Sequence, residues 1–310
     1  MKYSCRCLFC ESATDNGKSV LKCINMATGQ SVDELIRKFC KNWTAPDKQK
    51  MRVIDLQRVR LISSKKKVTR REVEIFCLES NVVPVRYLRN IGTIGIEGQL
   101  KLLRSTVAVC GAGGLGGTII ELLARQGIGH LVIIDNGKFE ENNLNRQIIA
   151  TESDLNKSKV KVGAARIKKI NSAVTITAVN IKINSKNVKS LIKDMDVVID
   201  GLDNLKTRRI VARACDELKI PFVHGAIAGF SGQLMTIFPG DKGLNAICGL
   251  SPNECGIETH TGNPAATAAV VAAWEVQEVI KIITGIGTPL RNRLIFLDFA
   301  DGTFDEISLL

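Results

Sequence analysis

No apolar run in the chain approaches the roughly 18–20 residues that a membrane-spanning helix needs. The longest candidate, residues 265–274, stops at Glu275. The opening stretch, MKYSCRCLFCESATDN, starts basic but has no apolar centre long enough for a secretory signal. Internal repeats and low-complexity tracts are missing as well, so nothing points to a repeat architecture. Histidine is scarce, with three residues in the chain, and His224 reads as a structural residue rather than a ligand. These absences together predict a soluble, cytoplasmic globular protein with no membrane partner.

The 310 residues suit about two domains, and a 45% hydrophobic content with a mean hydropathy of +0.08 is enough to build a buried core. Ten cysteines in a long chain without a secretion signal predict thiols, metal ligands or catalytic groups rather than disulfides. Six of the ten, Cys5, Cys7, Cys10, Cys23, Cys40 and Cys77, fall in the first quarter. The net charge of +12 is uneven: residues 1–104 hold 21 of the 43 basic and 10 of the 31 acidic residues, and the remainder is nearly balanced. A basic N-terminal part predicts an acidic partner, here expected to be a protein rather than nucleic acid.

From Thr106 onward, short β-branched runs alternate with helical segments. That pattern predicts an α/β fold, Rossmann-like, with a mostly parallel sheet. Strands are expected at Thr106–Cys110 and at 131–135, 174–179, 195–200, 221–224 and 233–238, with helices after the glycines and at 160–170 and 206–218. Asn263-Pro264 reads as a helix start, with Asn as the cap and the helix running to about Ile283. Residues 293–299 and 304–309 predict an antiparallel C-terminal extension. Residues 1–84 read as a separate, basic, Cys-rich α+β segment that serves as a partner-binding domain, and 85–310 as the nucleotide-binding domain. In the former, helices are expected at 31–40 and at 69–78, the second opened by a Thr69/Glu72 capping box, with a strand at 53–59.

The stretch CGAGGLGG follows a predicted strand, and Gly111, Gly113 and Gly116 fit G-x-G-x-x-G, with Gly114 inside the turn. Such a turn aims backbone N–H groups and a helix dipole at phosphate. Asp135 stands 19 residues beyond Gly116, where a carboxylate accepts from ribose hydroxyls. These features serve a dinucleotide or ATP equally well. The next segment offers Asn143, Arg146, Gln147 and Lys159, two amides and two cations suited to negative charge building at phosphorus. DVVIDGLDNLKTR then places Asp203 and Asn204 at the carboxyl end of a strand, where a carboxylate can hold Mg²⁺ with phosphate oxygens, or where either residue can cap a helix.

These pieces resemble, in order and spacing, the ThiF/MoeB/HesA family, bacterial relatives of ubiquitin-activating enzymes. The matching stretches are RYLRNIGTIGIEGQ (86–99), VCGAGGLGG (109–117), DNGKFEENNLNRQ (135–147), Lys159, DGLDN (200–204), PFVHGAIAGFSGQ (221–233) and GNPA (262–265). The resemblance implies an adenylyltransferase that uses ATP and Mg²⁺ to activate the C-terminal glycine of a ubiquitin-like sulfur-carrier protein ending in Gly-Gly, releasing pyrophosphate. It implies that Asp135 binds ribose, that Asn143, Gln147 and Asn204 position the nucleotide, that Arg146 and Lys159 stabilise the phosphates, and that Asp203 holds the metal. Arg89 matches an arginine that reaches into a partner subunit's site, which implies a homodimer. Cys255 stands nearest a loop cysteine that links covalently to the carrier in some relatives.

The chain also departs from the family pattern. Gly137 stands where a second carboxylate is usual. The paired C-x-x-C motifs of zinc-binding members are missing: Cys248 stands alone and the chain ends in SLL. No zinc is therefore expected in residues 105–310, while C-x-C-x-x-C at 5–10 leaves zinc within residues 1–40 as a lesser alternative. Two other functions stay open: adenylation of a ribosomal peptide's C-terminus, and a NAD-type Rossmann oxidoreductase.

Overall fold

The computed structural model describes residues 30–46, 48–247 and 261–309. The expectations for Cys5, Cys7, Cys10, Cys23, Cys248 and Cys255 lie outside them. Two compact units divide between Arg86 and Tyr87.

The first unit runs α1 (Val32–Phe39), β1 (Lys41–Thr44), β2 (Lys50–Ile54), α2 (Leu56–Lys66), α3 (Arg70–Glu79) and β3 (Val82–Pro84). Its sheet has the order β1-β2-β3. Ser31 with Glu34 and Thr69 with Glu72 form reciprocal capping boxes at the starts of α1 and α3. The strand expected at 53–59 is corrected: β2 ends at Ile54, and Asp55 caps a helix by accepting from the Arg58 N–H at 2.9 Å. Val59 and Ile62, three residues apart, then both face the core with Val32, Leu35, Ile36 and Val73. Helical period therefore governs this segment, although it is rich in β-branched residues.

The second unit begins with α4 (Leu88–Arg104), interrupted by non-helical backbone at Gly95. It continues β4 (Thr106–Cys110), α5 (Gly114–Gln126), β5 (His130–Ile134), α6 (Lys159–Ile170), β6 (Thr175–Val179), α7 (Val188–Ile192), β7 (Val197–Asp200), α8 (Leu205–Leu218), β8 (Phe222–Ala228), β9 (Ser231–Ile237), α9 (Ala265–Thr284), β10 (Arg293–Asp298) and β11 (Thr303–Ser308). The eight strands lie in the order β11-β10-β9-β8-β7-β4-β5-β6. Strands β4 to β8 pair in parallel, and β9, β10 and β11 extend the sheet antiparallel.

Strand alternation explains the two cores. Val107, Val109, Leu131, Ile133, Val197 and Ile199 pack toward α5, α6 and α9. Ala108, Cys110, Val132, Ile134 and Val198 face the opposite way, toward α7 and α8. Both faces are covered, so the strands read as continuous apolar runs rather than alternating ones. Burial pushes the Cys215 thiol up to about 12 and the Cys110 thiol well above its ordinary value, so both are inert packing residues.

The chain leaves β4 toward β5 and β6, then returns to place β7 on the other side of β4. That reversal opens a crevice at the carboxyl ends of β4 and β7, the place where open α/β sheets take ligands.

Candidate nucleotide site

The crevice is a cleft of about 400 Å³. It gathers residues from the turns after β4, β5, β6 and β7. Gly111, Gly113, Gly114, Asp135, Arg146, Gln147, Lys159, Asp203 and Asn204 all line it. Asn143, Arg89 and Gly116 do not appear in that lining.

The glycine turn is tight for a steric reason. Gly111 has φ +98°, and a Cβ there would stand 2.2 Å from the Gly201 carbonyl oxygen. A Cβ on Gly116 would stand 2.0 Å from the Gly111 carbonyl oxygen. The two glycines therefore let the turn, the start of α5 and the segment after β7 meet backbone to backbone. Gly116 shapes the cleft without lining it. The outcome is the N-terminus of a 13-residue helix, with its unpaired N–H groups, open to the cleft.

Asp135 is held by two backbone donors: the Ala112 N–H at 2.8 Å to Oδ2 and the Gly137 N–H at 2.6 Å to Oδ1. Its carboxylate is thus fixed, with lone pairs left for a ligand hydroxyl. At Gly137 a Cβ would lie 3.3 Å from Lys159 Cε, so the missing side chain makes room for the lysine stem to cross. Lys159 opens α6, and its Nζ lies 5.8 Å from the centre of the Phe139 ring.

Arg146 donates from Nη1 to the Asn142 carbonyl at 2.9 Å and to Asn145 Oδ1 at 2.8 Å. The buried Gln147 leaves Oε1 with no hydrogen-bond partner among the described residues. Asn143 serves its own loop instead: its Oδ1 accepts from the Glu140 N–H at 3.2 Å and its amide donates to Asn142. Its backbone carbonyl accepts from the N–H groups of Arg146 at 3.2 Å and Gln147 at 2.9 Å, which ties the loop that carries both to it. After β7, Asn204 caps α8 by accepting from the Thr207 N–H at 2.9 Å, and it donates to Asp203 Oδ1 at 3.1 Å. Capping thus falls to Asn204 and leaves the exposed Asp203 carboxylate on the cleft. Arg89 is exposed on α4.

Several lining residues carried no role in the sequence reading. Arg208 enters the cleft with Nε 3.2 Å from Asp200 Oδ2, and its Nη2 donates to the Leu202 carbonyl at 2.6 Å. Asp200 also meets His224 Nδ1 at 2.7 Å, and burial holds the His224 imidazole below its ordinary pKa against the pull of Asp200. Lys182 lines the cleft between Ile181 and Ile183, after β6. Four cations, Arg146, Lys159, Lys182 and Arg208, therefore face two carboxylates, a balance that suits a polyphosphate. For a divalent cation, the donor set is one carboxylate, Asp203, which matches Mg²⁺ held by one or two carboxylates and substrate phosphates.

Glu275 is a further residue that the sequence did not mark. It lies on α9, fully buried, with both carboxyl oxygens unpartnered among the described residues. It occupies the space that Gly225 leaves on the sheet, where a Cβ would fall 2.5 Å from the Glu275 carboxyl carbon. Burial pushes this carboxyl well above the ordinary range; the Asp200 charge adds to the shift and Arg208 opposes it. A raised native pKa gives stability that is complete below the unfolded pKa of about 4.3 and is lost as pH rises through the native value. Glu275→Gln removes that loss. Its stability relative to the native chain is expected to grow as pH rises from about 5, by up to about 1.4 kcal/mol per pH unit, until the raised native value is passed. Denaturant titrations across that range measure it, and a gap that does not change with pH would show an ionised Glu275.

A glycine turn aimed at a cationic cleft beside a fixed carboxylate defines a nucleotide-binding enzyme fold of the Rossmann class. Comparison with known proteins narrows the class. The model of the ThiF family matches residues 87–309, and the chain belongs to that family. It is 34% identical over 226 residues to the SAMP-activating enzyme E1 of Haloferax volcanii, covering 72% of this chain and 84% of that protein. It is 30% identical over 224 residues to the sulfur carrier protein adenylyltransferase of Thermus thermophilus, covering 70% and 83%. The adenylyltransferase and sulfurtransferase MOCS3 of Aedes aegypti is 37% identical over 231 residues, but this chain spans only 52% of its length. Among solved structures, Escherichia coli MccB with ATP superposes with a TM-score of 0.65 at 24% identity, covering 72% and 71% of the two chains. At that identity the likeness speaks for the fold alone.

Proposed function

We propose that the chain binds ATP in this cleft and transfers its adenylyl group to the C-terminal carboxylate of a ubiquitin-like sulfur-carrier protein. The chain is an adenylyltransferase of the ThiF family, and two relatives that it matches over most of their length are named for activating a SAMP or a sulfur-carrier protein. The observation that carries the reading is convergence: Arg146, Lys159 and Asp203 meet the glycine turn and Asp135 in one cleft.

The chemistry follows from the charges. Asp135 accepts from the ribose, and the N-terminus of α5 faces the phosphates. A carboxylate oxygen of the carrier attacks the α-phosphorus while the bond from that phosphorus to the oxygen bridging the β-phosphate breaks. The electron pair leaves with pyrophosphate, and an acyl-adenylate remains. Attacking carboxylate and triphosphate repel each other, so Arg146 and Lys159 stabilise the charge that builds at phosphorus. Asp203 would hold Mg²⁺, which when bound would supply further neutralisation of the charge on the leaving group.

The dimer is part of the same proposal. Arg89 lies outside the cleft of its own chain, and in a homodimer it completes the partner's site. The basic N-terminal segment receives the acidic face of the carrier. A ribosomal peptide as acceptor rests on the MccB fold alone and is the weaker reading. Four cations exceed the two negative charges of a dinucleotide's pyrophosphate, which favours a triphosphate over a NAD-type cofactor.

The test is exchange of labelled pyrophosphate into ATP. We expect exchange that requires Mg²⁺ and a ubiquitin-fold protein ending in Gly-Gly, and that disappears when its last glycine is removed. Exchange driven by a short unfolded peptide alone would shift the reading to peptide adenylation. NAD binding without exchange would overturn it.

A further inference from the structure

Asn263 is placed where a helix cap would be, yet it caps nothing. The sequence suggests Asn263 as the cap of α9, but the cap position is Pro264, and no side chain bonds the first turn. Asn263 is one of the residues that line the nucleotide cleft, and its side-chain Oδ1 is buried without a partner among the described residues. A buried amide oxygen left unmade costs about 1–3 kcal/mol, so such an atom points to a group that arrives with the substrate.

The segment carrying it is fixed on two sides. Asn145 Nδ2 donates to the Asn263 carbonyl at 3.2 Å, and the Gly229 N–H donates to the Gly262 carbonyl at 2.8 Å. The first bond ties Asn263 to the loop that carries Arg146 and Gln147. The second ties it to the β8–β9 hairpin, whose Phe230 is 61% exposed. Across the cleft, Asp135 follows β5, and Ile181 to Ile183 follow β6, on the far side of β4. A nucleotide whose ribose sits on Asp135 fills that half. The half left open lies under β8 and α9, where Ile227 and Asn263 are the lining residues.

We propose that Asn263 grips the last peptide unit of the incoming acyl chain and sets its terminal carboxylate against the α-phosphorus. A carboxamide matches this role. Its oxygen accepts from the N–H of the terminal residue, and its amide group donates to a carbonyl or carboxylate of the same unit. Ile227 and the exposed Phe230 supply the apolar approach to it. The inference rests on the adenylyltransferase reading and names the residue that selects its acceptor substrate.

The experiment uses the full chain, a recombinant ubiquitin-fold protein ending in Gly-Gly, and labelled pyrophosphate. Asn263→Ala is expected to raise KM for the carrier about tenfold, as loss of a buried hydrogen bond of about 1.4 kcal/mol implies. ATP binding, measured without carrier by a fluorescent analogue, is expected to stay within twofold. Asn263→Asp places a negative charge against the attacking carboxylate and is expected to lose more. A thermal midpoint unchanged from the native chain excludes misfolding in either variant. An unchanged KM for the carrier in Asn263→Ala overturns the inference, as does weakened ATP binding with unchanged carrier dependence. If the native chain shows no carrier-dependent exchange, the carrier reading of the proposed function falls, and this inference with it.

Discussion

Replacing Lys159 by alanine is expected to lower pyrophosphate exchange about 100- to 1,000-fold, the usual loss when one preorganised charge at a reacting centre is removed. Its position argues that the lysine is kept for the ligand. Lys159 is the first residue of α6, where the helix dipole is positive and a cation is disfavoured by about 0.3–1 kcal/mol. No carboxylate forms a salt bridge with it among the described residues; its Nζ rests on the Phe139 ring instead. Its stem crosses the gap left by Gly137, and the ammonium reaches the cleft. A phosphate would offset the unfavourable dipole; no carboxylate among the described residues forms an ion pair that does so. The variant should therefore melt at the same temperature as the native chain or slightly higher, while exchange collapses. Exchange within threefold of the native rate would mean that Lys159 is an ordinary surface lysine.

What could be read in advance, and what could not, follows from the range of the forces involved. The glycine turn, β4 and Asp135 are local features, because a strand, a tight turn and a helix start must be written in consecutive residues. Capping boxes at Ser31 and Thr69 are local in the same sense, although only the second was marked. The helix α4 was missed because Gly92, Gly95 and Gly98 lower its intrinsic propensity. Its place is settled by packing of Ile94 and Leu102 into the core shared with α5 and α9. At residues 53–59, β-branched composition suggested a strand, while the Asp55 cap and the three-residue spacing of Val59 and Ile62 decided for a helix. Arg146, Gln147 and Lys159 were legible as chemistry but not as neighbours, since the 11 residues 148–158 separate Gln147 from α6. Glu275 carried no signal in the sequence, and Asn263 reads there as a helix cap although the cap position is Pro264. Each owes its environment to an element distant in the chain: Gly225 on β8 for the first, and Asn145 and Gly229 for the second.

Asp203→Ala is expected to abolish carrier-dependent exchange, with a loss of at least about 100-fold, and to leave the fold intact. The two halves of that statement come from the division of labour after β7. Asn204 performs the capping of α8, so the helix does not depend on its neighbour. Asp203 is exposed and, among the described residues, its side chain accepts only a 3.1 Å bond from Asn204 Nδ2, so its removal opens no buried cavity. What it would contribute, on the proposed function, is a carboxylate charge beside four cations, able to hold Mg²⁺ together with substrate phosphates. Asp203→Asn keeps the shape and the bond from Asn204 but loses the charge. If charge is the contribution, the asparagine variant should be nearly as impaired as the alanine one, and both should need far more Mg²⁺ than the native chain. Calorimetric titration of ATP with and without Mg²⁺ separates the metal from the nucleotide: the Mg²⁺-dependent part of the affinity should shrink, and the metal-free part should stay or improve as repulsion is removed. Near-normal exchange, with an unshifted Mg²⁺ requirement, would take the metal away from Asp203. Gly137 bears no carboxylate, so Asp135, with the lone pairs its two backbone donors leave, would then be the other carboxylate of the cleft able to hold the ion among the described residues.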